Sequence, residues 1–473
     1  MASYNNLLEG PIHKALLSLA VPIVLNQILQ SAYQLTDAFW VGRLGAHEVA
    51  AVSVSMPVTF LVIALGAGLA MAGATLSAQY MGAKKYDMVN HVAAQTMLMV
   101  VIVAIVLGLT GFLLSPYFLH LLGVEQAVYD NALKFMRVSF VGVIFVFTFA
   151  IFQAIMRGVG QVKVPLFIVL GTVILNFFLD PLFIYGWGGF TGLGVMGAAL
   201  ATLVTQGLAA ICGITIFLKG RHGIQVTLKH FKPDFAYIKR AFFLGAPGSV
   251  ELAARALGLI ILSFIVASFG TVTIASYGVG SNILQVITIP AMGLSMAVST
   301  LVGQNLGANQ VDRAAKVAVI GASWGFAALS LIGGIAYLSA PYLVAFFIPD
   351  DPQVIQHGAQ FVRTMCLTWG FIGLQLCIVS TFRASGNMVN TMLLSLLAQW
   401  VFQFPIAYIL SKHTALGAAG IWWSFAVTNI LIALVSIVWF ARGSWKKTRL
   451  TADDQEMVHI SEETMIDIED RRA

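Results

Sequence analysis

Carboxylates lie inside two of the long apolar runs of this sequence, where they could bind a proton or a cation. Asp37 falls within the run 15–42, and Asp180 falls within a run near 164–186. An ionised Asp at the centre of a bilayer costs roughly 2.5–3.5 kcal/mol on insertion scales. Such a group either holds a proton, because desolvation disfavours its charged form, or binds a cation. We therefore predict that these acids couple the protein to H⁺ or Na⁺.

Each acid ends a polar stripe on an otherwise apolar helix. The first stripe has steps of four, three and four residues: Asn26, Gln30, Tyr33 and Asp37. The second repeats every four residues: Thr172, Asn176 and Asp180. Such spacing places each set on one helical face, which normally lines a bundle interior or a watery cavity. We predict that Asn26, Gln30 and Tyr33 contact substrate.

Oxygen atoms near the two acids would suit a hard cation. The predicted set would act as metal ligands only if the coupling ion is Na⁺, and it comprises Asp37, Asn176, Asp180 and Thr202. The competing interpretation is a polar cluster that only ties the first and fifth spans together.

Two further polar features leave a similar choice open. Glu251 lies four residues before Arg255, so the two could neutralise each other within one helix. Alternatively, Glu251 faces the C-terminal half of a cavity and binds substrate cations. Gln285 shares a stripe with Ser281 and Thr288, which suits substrate contact and helix–helix hydrogen bonding equally.

Composition decides the broad class of protein. Of 473 residues, 59% are hydrophobic and only 10% are charged, whereas a soluble domain has about 25% charged residues. We predict an all-α integral membrane protein with twelve transmembrane helices, each long enough to cross a bilayer. The predicted spans lie near 15–41, 50–78, 91–115, 131–156, 164–186, 194–218, 241–268, 275–303, 314–340, 359–382, 389–411 and 417–441.

The two halves of the chain are copies of each other. A shift of 225 residues aligns Pro22 with Pro247, Gly68 with Gly293, Thr75 with Thr300, Gln79 with Gln304 and Gly82 with Gly307, and a shift of 226 aligns Arg157 with Arg383. Six spans per copy make the repeats parallel, so that two six-helix lobes surround a central cavity. The predicted division is an N-terminal lobe 1–218, a cytosolic connector 219–240, a C-terminal lobe 241–442 and an acidic, unstructured cytosolic tail 443–473.

The basic residues indicate the topology. With the N-terminus inside, twenty of the 26 bases fall on inner segments, as the positive-inside rule expects. This distribution argues against nucleic-acid binding. Cys212, Cys366 and Cys377 lie in apolar runs and are predicted to be buried thiols. No GxxxxGK[ST] or HExxH motif is present, so we expect neither an enzyme nor a resident cofactor.

Several segments resemble the multidrug and toxic compound extrusion (MATE) family. They are TDAFWVGRLGAHEVAAVS, LSAQYMGAKK, MRGVGQ, NFFLDPLFIYGWGG, GVMGAALAT and VGQNLGAN. The resemblance implies a monomeric antiporter in the bacterial inner membrane, with both termini cytoplasmic. Such a protein expels organic cations and amphipathic drugs in exchange for H⁺ or Na⁺. Family site positions fall on Asp37, Tyr33, Asn176, Asp180, Thr202 and Glu251. Residues 359–382 hold no Asp or Glu, which departs from the NorM pattern.

Other functions are compatible with two membrane lobes. A flippase for lipid-linked saccharides would need Arg or Lys in its cavity for pyrophosphate, and only Arg255 lies deep in a predicted span. An ion channel would pass current without counter-transport, and a scaffold would tolerate replacement of Asp37. We expect alternating access in which ion and drug exclude each other.

Overall fold

The first half of the chain folds into six long helices. The computed structural model describes residues 7–220 and 223–451. The helices are α1 (Ile12–Gly42), α2 (Ala46–Gly82), α3 (Tyr86–Leu121), α4 (Gln126–Gly158), α5 (Lys163–Tyr185) and α6 (Val195–Lys219). A short antiparallel hairpin of β1 (Gly186–Trp187) and β2 (Phe190–Thr191) joins α5 to α6.

The second half repeats this arrangement with two interruptions. Its helices are α7 (Phe235–Ala267), α8 (Thr271–Gly307), α9 (Val311–Phe347), α10 (Pro352–Cys366), α11 (Trp369–Ala384), α12 (Met388–Leu396), α13 (Phe404–Lys412) and α14 (Ala418–Ala441). A π-helical segment, Leu397–Gln403, joins α12 to α13. Within the described residues, eleven helices are long and apolar enough to cross a membrane, and α10 with α11 makes up to twelve. The predicted all-helical membrane fold is confirmed.

The tenth span is bent by 50° between α10 and α11, which the sequence did not predict. The Thr368 hydroxyl donates to the Met365 carbonyl at 3.0 Å and accepts from Asn429 Nδ2 at 3.1 Å. A side chain that bonds the backbone in this way competes with the helical hydrogen-bond ladder. The bend therefore has a local cause that α14 stabilises from the side.

The helices alternate in direction, so the bundle has two ends. The end at which α1 begins is called the near end. The opposite end, which carries the β-hairpin, is called the far end. The connector between α6 and α7 lies at the near end, where buried Gln95 of α3 donates to the carbonyls of His230 and Lys232, each at 2.6 Å. Asp234 caps α7 by accepting from the Tyr237 N–H at 3.0 Å. That N–H, together with His91, holds the pKa of Asp234 below its usual range.

The two repeats contact each other mainly through the near halves of their first helices. Leu16 and Leu19 of α1 share a hydrophobic cluster with Val298 of α8. In the symmetric position, α7 packs on α2, where a Cβ on Gly68 would meet the backbone of Gly245. The Ser249 hydroxyl also donates to the Leu65 carbonyl at 2.7 Å. Thus α1 and α7 each pack against the opposite repeat at the near end.

Two predictions are corrected by the structure. The predicted tail is folded over its first residues, since Ser444–Lys446 forms a 3-10 turn with Trp445 fully buried. Leu450 reaches the near end of α2, and its N–H donates to Gln79 Oε1 at 2.9 Å. The rest of the predicted unstructured tail, 452–473, lies outside the described residues. Cys212 is exposed, not buried, because its face of α6 points away from the bundle.

Candidate functional site

The structure brings the four predicted ion-coupling residues together in the far half of the first repeat. One helical turn apart on α5, Asn176 Nδ2 donates to Asp180 Oδ1 at 3.0 Å, and both side chains are fully buried. Asp37 comes from the last turns of α1, and the Thr202 hydroxyl of α6 donates to its Oδ2 at 3.3 Å. The Asp37 side chain also lies close enough to Asn176 and Asp180 to interact with both. We call these four residues the Asp37 cluster.

The Asp37 cluster has more acceptors than donors. Three of its oxygens are buried and accept no hydrogen bond from any described residue: Asp37 Oδ1, Asn176 Oδ1 and Asp180 Oδ2. Buried polar atoms in proteins almost always have a partner, and two ionised carboxylates side by side repel each other. A proton or a cation bound among these oxygens would remove both penalties. The geometry is therefore suited to a site that binds and releases a positive charge.

The rest of the α1 stripe contacts other helices of its own repeat. The buried Tyr33 hydroxyl lies 2.6 Å from the Thr205 hydroxyl of α6. Asn26 and Gln30 both donate to Gln153 Oε1 of α4, at 3.5 and 3.3 Å. Gln153 was missed in the sequence, where a lone Gln in an apolar run gave no periodic signal. It ties α4 to the polar face of α1.

Glu251 lies apart from the Asp37 cluster and is enclosed by partners from its own repeat. Its Oε1 is 2.6 Å from Arg383 Nη2 and 3.4 Å from Arg255 Nη2, and the side chain is 1% exposed. Hydroxyls of Thr391 and Ser395 donate to it at 3.2 and 2.9 Å. The predicted pair with Arg255 is present, but the shorter contact is to Arg383. These contacts favour a structural role.

Gln285, the last predicted substrate residue, is exposed on α8. Its backbone carbonyl accepts from the Thr288 hydroxyl at 3.0 Å. The structure does not bring it to the Asp37 cluster, and its substrate contact stays a prediction.

The two repeats are joined at the near end by four symmetric hydrogen bonds, which we call the near-end clasp. Each runs from a side chain of one repeat to a helix-end carbonyl of the other. They are Gln79 to Ala384 at 2.8 Å, Gln304 to Gly158 at 2.8 Å, Thr75 to Arg383 at 3.3 Å and Thr300 to Arg157 at 3.3 Å. All four bonds of the near-end clasp lie at this end of the bundle. The near end is closed.

Two cavities lie away from the Asp37 cluster. The larger, about 410 Å³, is an apolar groove between α1, α8 and α9, and Trp324 is one of its walls. The smaller cavity, about 110 Å³, lies between the repeats directly beside the near-end clasp. Residues of both repeats line it, among them Arg157, Ser299 and Arg383. None of the predicted site residues lines either cavity.

Closure of the near end depends on two glycines, which gives a testable prediction. A Cβ on Gly307 would meet the backbone carbonyl of Gln79, and one on Gly82 would meet that of Gln304. Gly307→Ala should therefore hold the near end apart. With a cysteine in place of Ser299 and Cys212 replaced by Ala, labelling by a polar maleimide should become severalfold faster.

The matched control is Gly278→Ala on the same helix, where a Cβ would meet nothing within 4 Å. Its labelling rate should equal that of the parent protein. Equal rates in Gly307→Ala and Gly278→Ala would show that the near end is not closed by this contact.

Comparison with known proteins identifies the repeat and the family. A family model described as MatE matches residues 22–182 and again residues 247–409. The two matches begin 225 residues apart, which is the shift that aligns the halves of the sequence. "Probable multidrug resistance protein YoeA" of Bacillus subtilis is 28% identical over 444 residues, covering 91% of this chain and 94% of that protein. "Probable multidrug resistance protein NorM" of Thermotoga maritima is 26% identical over 441 residues, covering 92% and 94%.

Solved structures share the fold. An outward-facing multidrug resistance MATE transporter of the MOP superfamily superposes with a TM-score of 0.88 at 24% identity, covering 94% of this chain and 98% of that one. A MOP superfamily transporter from Pyrococcus furiosus gives 0.87 at 24% identity, covering 94% and 99%. The MatE model accounts for more than half of this chain. The chain therefore belongs to the MATE family of multidrug efflux transporters, and it is a membrane transporter, not an enzyme.

Proposed function

We propose that this protein is an antiporter that exports organic cations and other amphipathic drugs in exchange for H⁺ or Na⁺. Membership in the MATE family supports the substrate class, and relatives carry the description of multidrug resistance proteins. The Asp37 cluster supports the coupling. One observation carries this proposal: three buried oxygens from α1 and α5 that accept no hydrogen bond from any described residue.

The residues of the Asp37 cluster have distinct roles in this proposal. Asp37 and Asp180 hold the proton, or both ligate Na⁺. Asn176 orients Asp180 through its 3.0 Å hydrogen bond, and Thr202 orients Asp37 through its 3.3 Å bond. If Na⁺ is the coupling ion, the Asn176 amide oxygen and the Thr202 hydroxyl oxygen complete an oxygen ligand set.

Alternating access between the repeats is the proposed route. The positive-inside rule assigns the near end to the cytoplasm and both termini to that side. The closed clasp then makes the described state one that is shut toward the cytoplasm. In this state an ion binds at Asp37 and Asp180 and releases drug outward. After the switch inward the ion leaves, and the restored negative charge attracts the next cationic drug.

Export in this scheme requires only that ion and drug weaken each other's binding. Such coupling is reciprocal: if the ion lowers drug affinity by some factor, the drug lowers ion affinity by the same factor. Tyr33, Gln30 and Asn26 extend from Asp37 along the same face of α1 toward the near end, so they offer drug contacts next to the ion site. Protein monomers suffice, because each chain contains both repeats.

Proteoliposomes with imposed gradients test the proposal and separate the two ions. Ethidium-like dye efflux is followed under ΔpH alone and under a Na⁺ gradient alone, with protein-free vesicles as control. Efflux under ΔpH marks Asp37 and Asp180 as proton carriers, and efflux that requires Na⁺ marks the same oxygens as a metal site. Folded protein that moves no dye under either gradient would reject drug antiport and favour the lipid-linked saccharide flippase.

A further inference from the structure

The 110 Å³ cavity beside the near-end clasp has features that the drug–ion exchange does not use. It is built from both repeats. Its wall from the first repeat contains Met71, Ala74, Thr75, Ala78 and Arg157, and its wall from the second contains Ser295, Met296, Ser299, Thr300, Ser380 and Arg383. The repeat shift relates Arg157 to Arg383, so the cavity places two equivalent guanidinium groups between the repeats.

The positive charge at this cavity is not balanced by the described residues. Arg383 shares Glu251 with Arg255. Arg157 has no ion-pair or hydrogen-bond partner for its guanidinium among the described residues, although it lines the cavity. Arg255 and Arg383 thus share one carboxylate, and Arg157 has none in the described part of the chain. An unpaired charge taken out of water is costly unless an opposite charge accompanies it.

Hydrogen-bond donors are also left over at the cavity. Arg383 Nε is buried and donates to no described residue, while its Nη2 is committed to Glu251. The Ser299 hydroxyl lines the cavity without a described partner. By contrast, the hydroxyls of Ser295 and Ser380 donate to backbone carbonyls of their own helices, each at 2.8 Å. The available donors are therefore two arginines, one from each repeat, and one serine.

The wall from the second repeat is more polar than the wall from the first, but it carries no additional negative charge. The second repeat has Ser295, Ser299 and Ser380 where the first has Ala70, Ala74 and Ala154. No carboxylate lines the cavity. Its volume of about 110 Å³ admits a small ion with a few waters, since one water occupies about 30 Å³ of liquid.

We propose that this cavity binds a small inorganic anion, such as chloride or nitrate, between Arg157 and Arg383. The ion accepts hydrogen bonds from the Arg157 guanidinium, Arg383 Nε and the Ser299 hydroxyl. Because each repeat supplies one arginine, separation of the repeats at the near end dismantles the site. The anion therefore stabilises the closed near end. This site is independent of whether H⁺ or Na⁺ occupies the Asp37 cluster.

Thermal unfolding of the purified protein tests this site without any transport assay. Tryptophan fluorescence reports the unfolding midpoint as sodium gluconate is replaced by sodium chloride or nitrate, at constant ionic strength and constant Na⁺. Gluconate is too bulky for the cavity. A ligand that binds only the folded state raises its stability with saturating concentration dependence. We expect a saturable rise in the unfolding midpoint with chloride or nitrate. In chloride NMR, we expect the protein to broaden the chloride resonance, which reports binding directly.

Variants locate the effect. Arg157→Gln should raise the anion concentration that gives half of the midpoint rise by tenfold or more. Arg157→Lys should retain part of the anion response. Lys163→Gln removes a positive charge from the same end of the bundle but lies on an exposed position outside the cavity, so its response should match the parent. If Arg157→Gln does not fold, Ser299→Ala replaces it and should weaken the response to a smaller extent.

Three results would overturn the proposal. The first is no difference between gluconate and the small anions. The second is the same anion dependence in the Arg157 variants as in the parent. The third is stabilisation by a short-chain anionic phospholipid in gluconate but not by chloride or nitrate, which would assign the site to a lipid phosphate group. Failure of the drug-efflux assay would leave all three readouts intact.

Discussion

Replacing Asp37 by Asn should strongly reduce gradient-driven dye efflux while leaving the protein folded. In the parent protein Thr202 donates to Asp37 Oδ2 at 3.3 Å, and the amide oxygen of Asn could still accept this hydrogen bond. An amide, however, neither releases a proton nor carries a negative charge. Coupling between two ligands is typically worth 1–3 kcal/mol, or roughly 5- to 150-fold in affinity. We expect the gradient-dependent rate of efflux to fall by a factor in that range.

The control is Asp312→Asn, which removes a carboxylate from an exposed position in the first turn of α9. Its efflux should equal that of the parent protein in the same vesicles. Asp180→Asn should reproduce the Asp37 phenotype, because the two acids share one set of buried oxygens. Unchanged efflux in Asp37→Asn would reject ion coupling through this cluster and leave it as a polar contact between α1 and α5.

Replacing Glu251 by Gln should strongly destabilise the protein. The change leaves Arg383 and Arg255 without their carboxylate, and Arg383 now pairs with it at 2.6 Å. Removal of one partner of a buried ion pair costs about 3–5 kcal/mol when the other charge is left buried and uncompensated, and the Arg383 side chain is only 25% exposed. The unfolding midpoint in detergent should drop well below that of the parent, and any loss of efflux should follow the loss of folded protein.

A double-mutant cycle separates this role from substrate binding. Glu251→Gln combined with Arg383→Gln should be less destabilised than the sum of the single variants, since neither charge is then buried alone. If Glu251→Gln instead unfolds at the parent temperature and only raises the drug concentration needed for half-maximal efflux, Glu251 contacts substrate as first predicted.

Local periodicity was sufficient to predict that Asp37 and Asp180 lie close together, whereas it gave no signal for Thr202 of the Asp37 cluster. Steps of three and four residues placed Asp37 on the interior face of α1, and steps of four did the same for Asp180 on α5. Hydrophobic length then placed both acids in the same half of the bundle. Because the two helices belong to one repeat with short connections, shared depth and inward orientation were enough to bring the side chains together.

Long-range contacts were not predictable in the same way. Arg383 lies 132 residues after Glu251, and nothing in the sequence around either residue specifies their contact. Sequence reasoning therefore chose the nearby Arg255 as the partner. The bend at Thr368 was missed for a related reason, since it needs Asn429 from another span to hold the side chain in place.

The near-end clasp was only partly predictable from the sequence. Its glutamines, threonines and arginines were all among the residues that align between the two halves of the sequence. The alignment showed that both copies carry the same residue types but gave no reason for it. The reason is geometric: α2 and α8 approach each other so closely at Gly82 and Gly307 that each helix presents its side chains to helix ends of the opposite repeat.

The position of Leu450 has a consequence for how the transporter is made. The clasp partner of Gln79 Nε2, the Ala384 carbonyl, comes 305 residues later in the chain. The Leu450 N–H, which donates to Gln79 Oε1, comes 371 residues later. While the ribosome is still producing the second repeat, Gln79 of an inserted first repeat has neither of these partners. The full set of contacts that Gln79 makes at the near end therefore forms only after synthesis has passed residue 450.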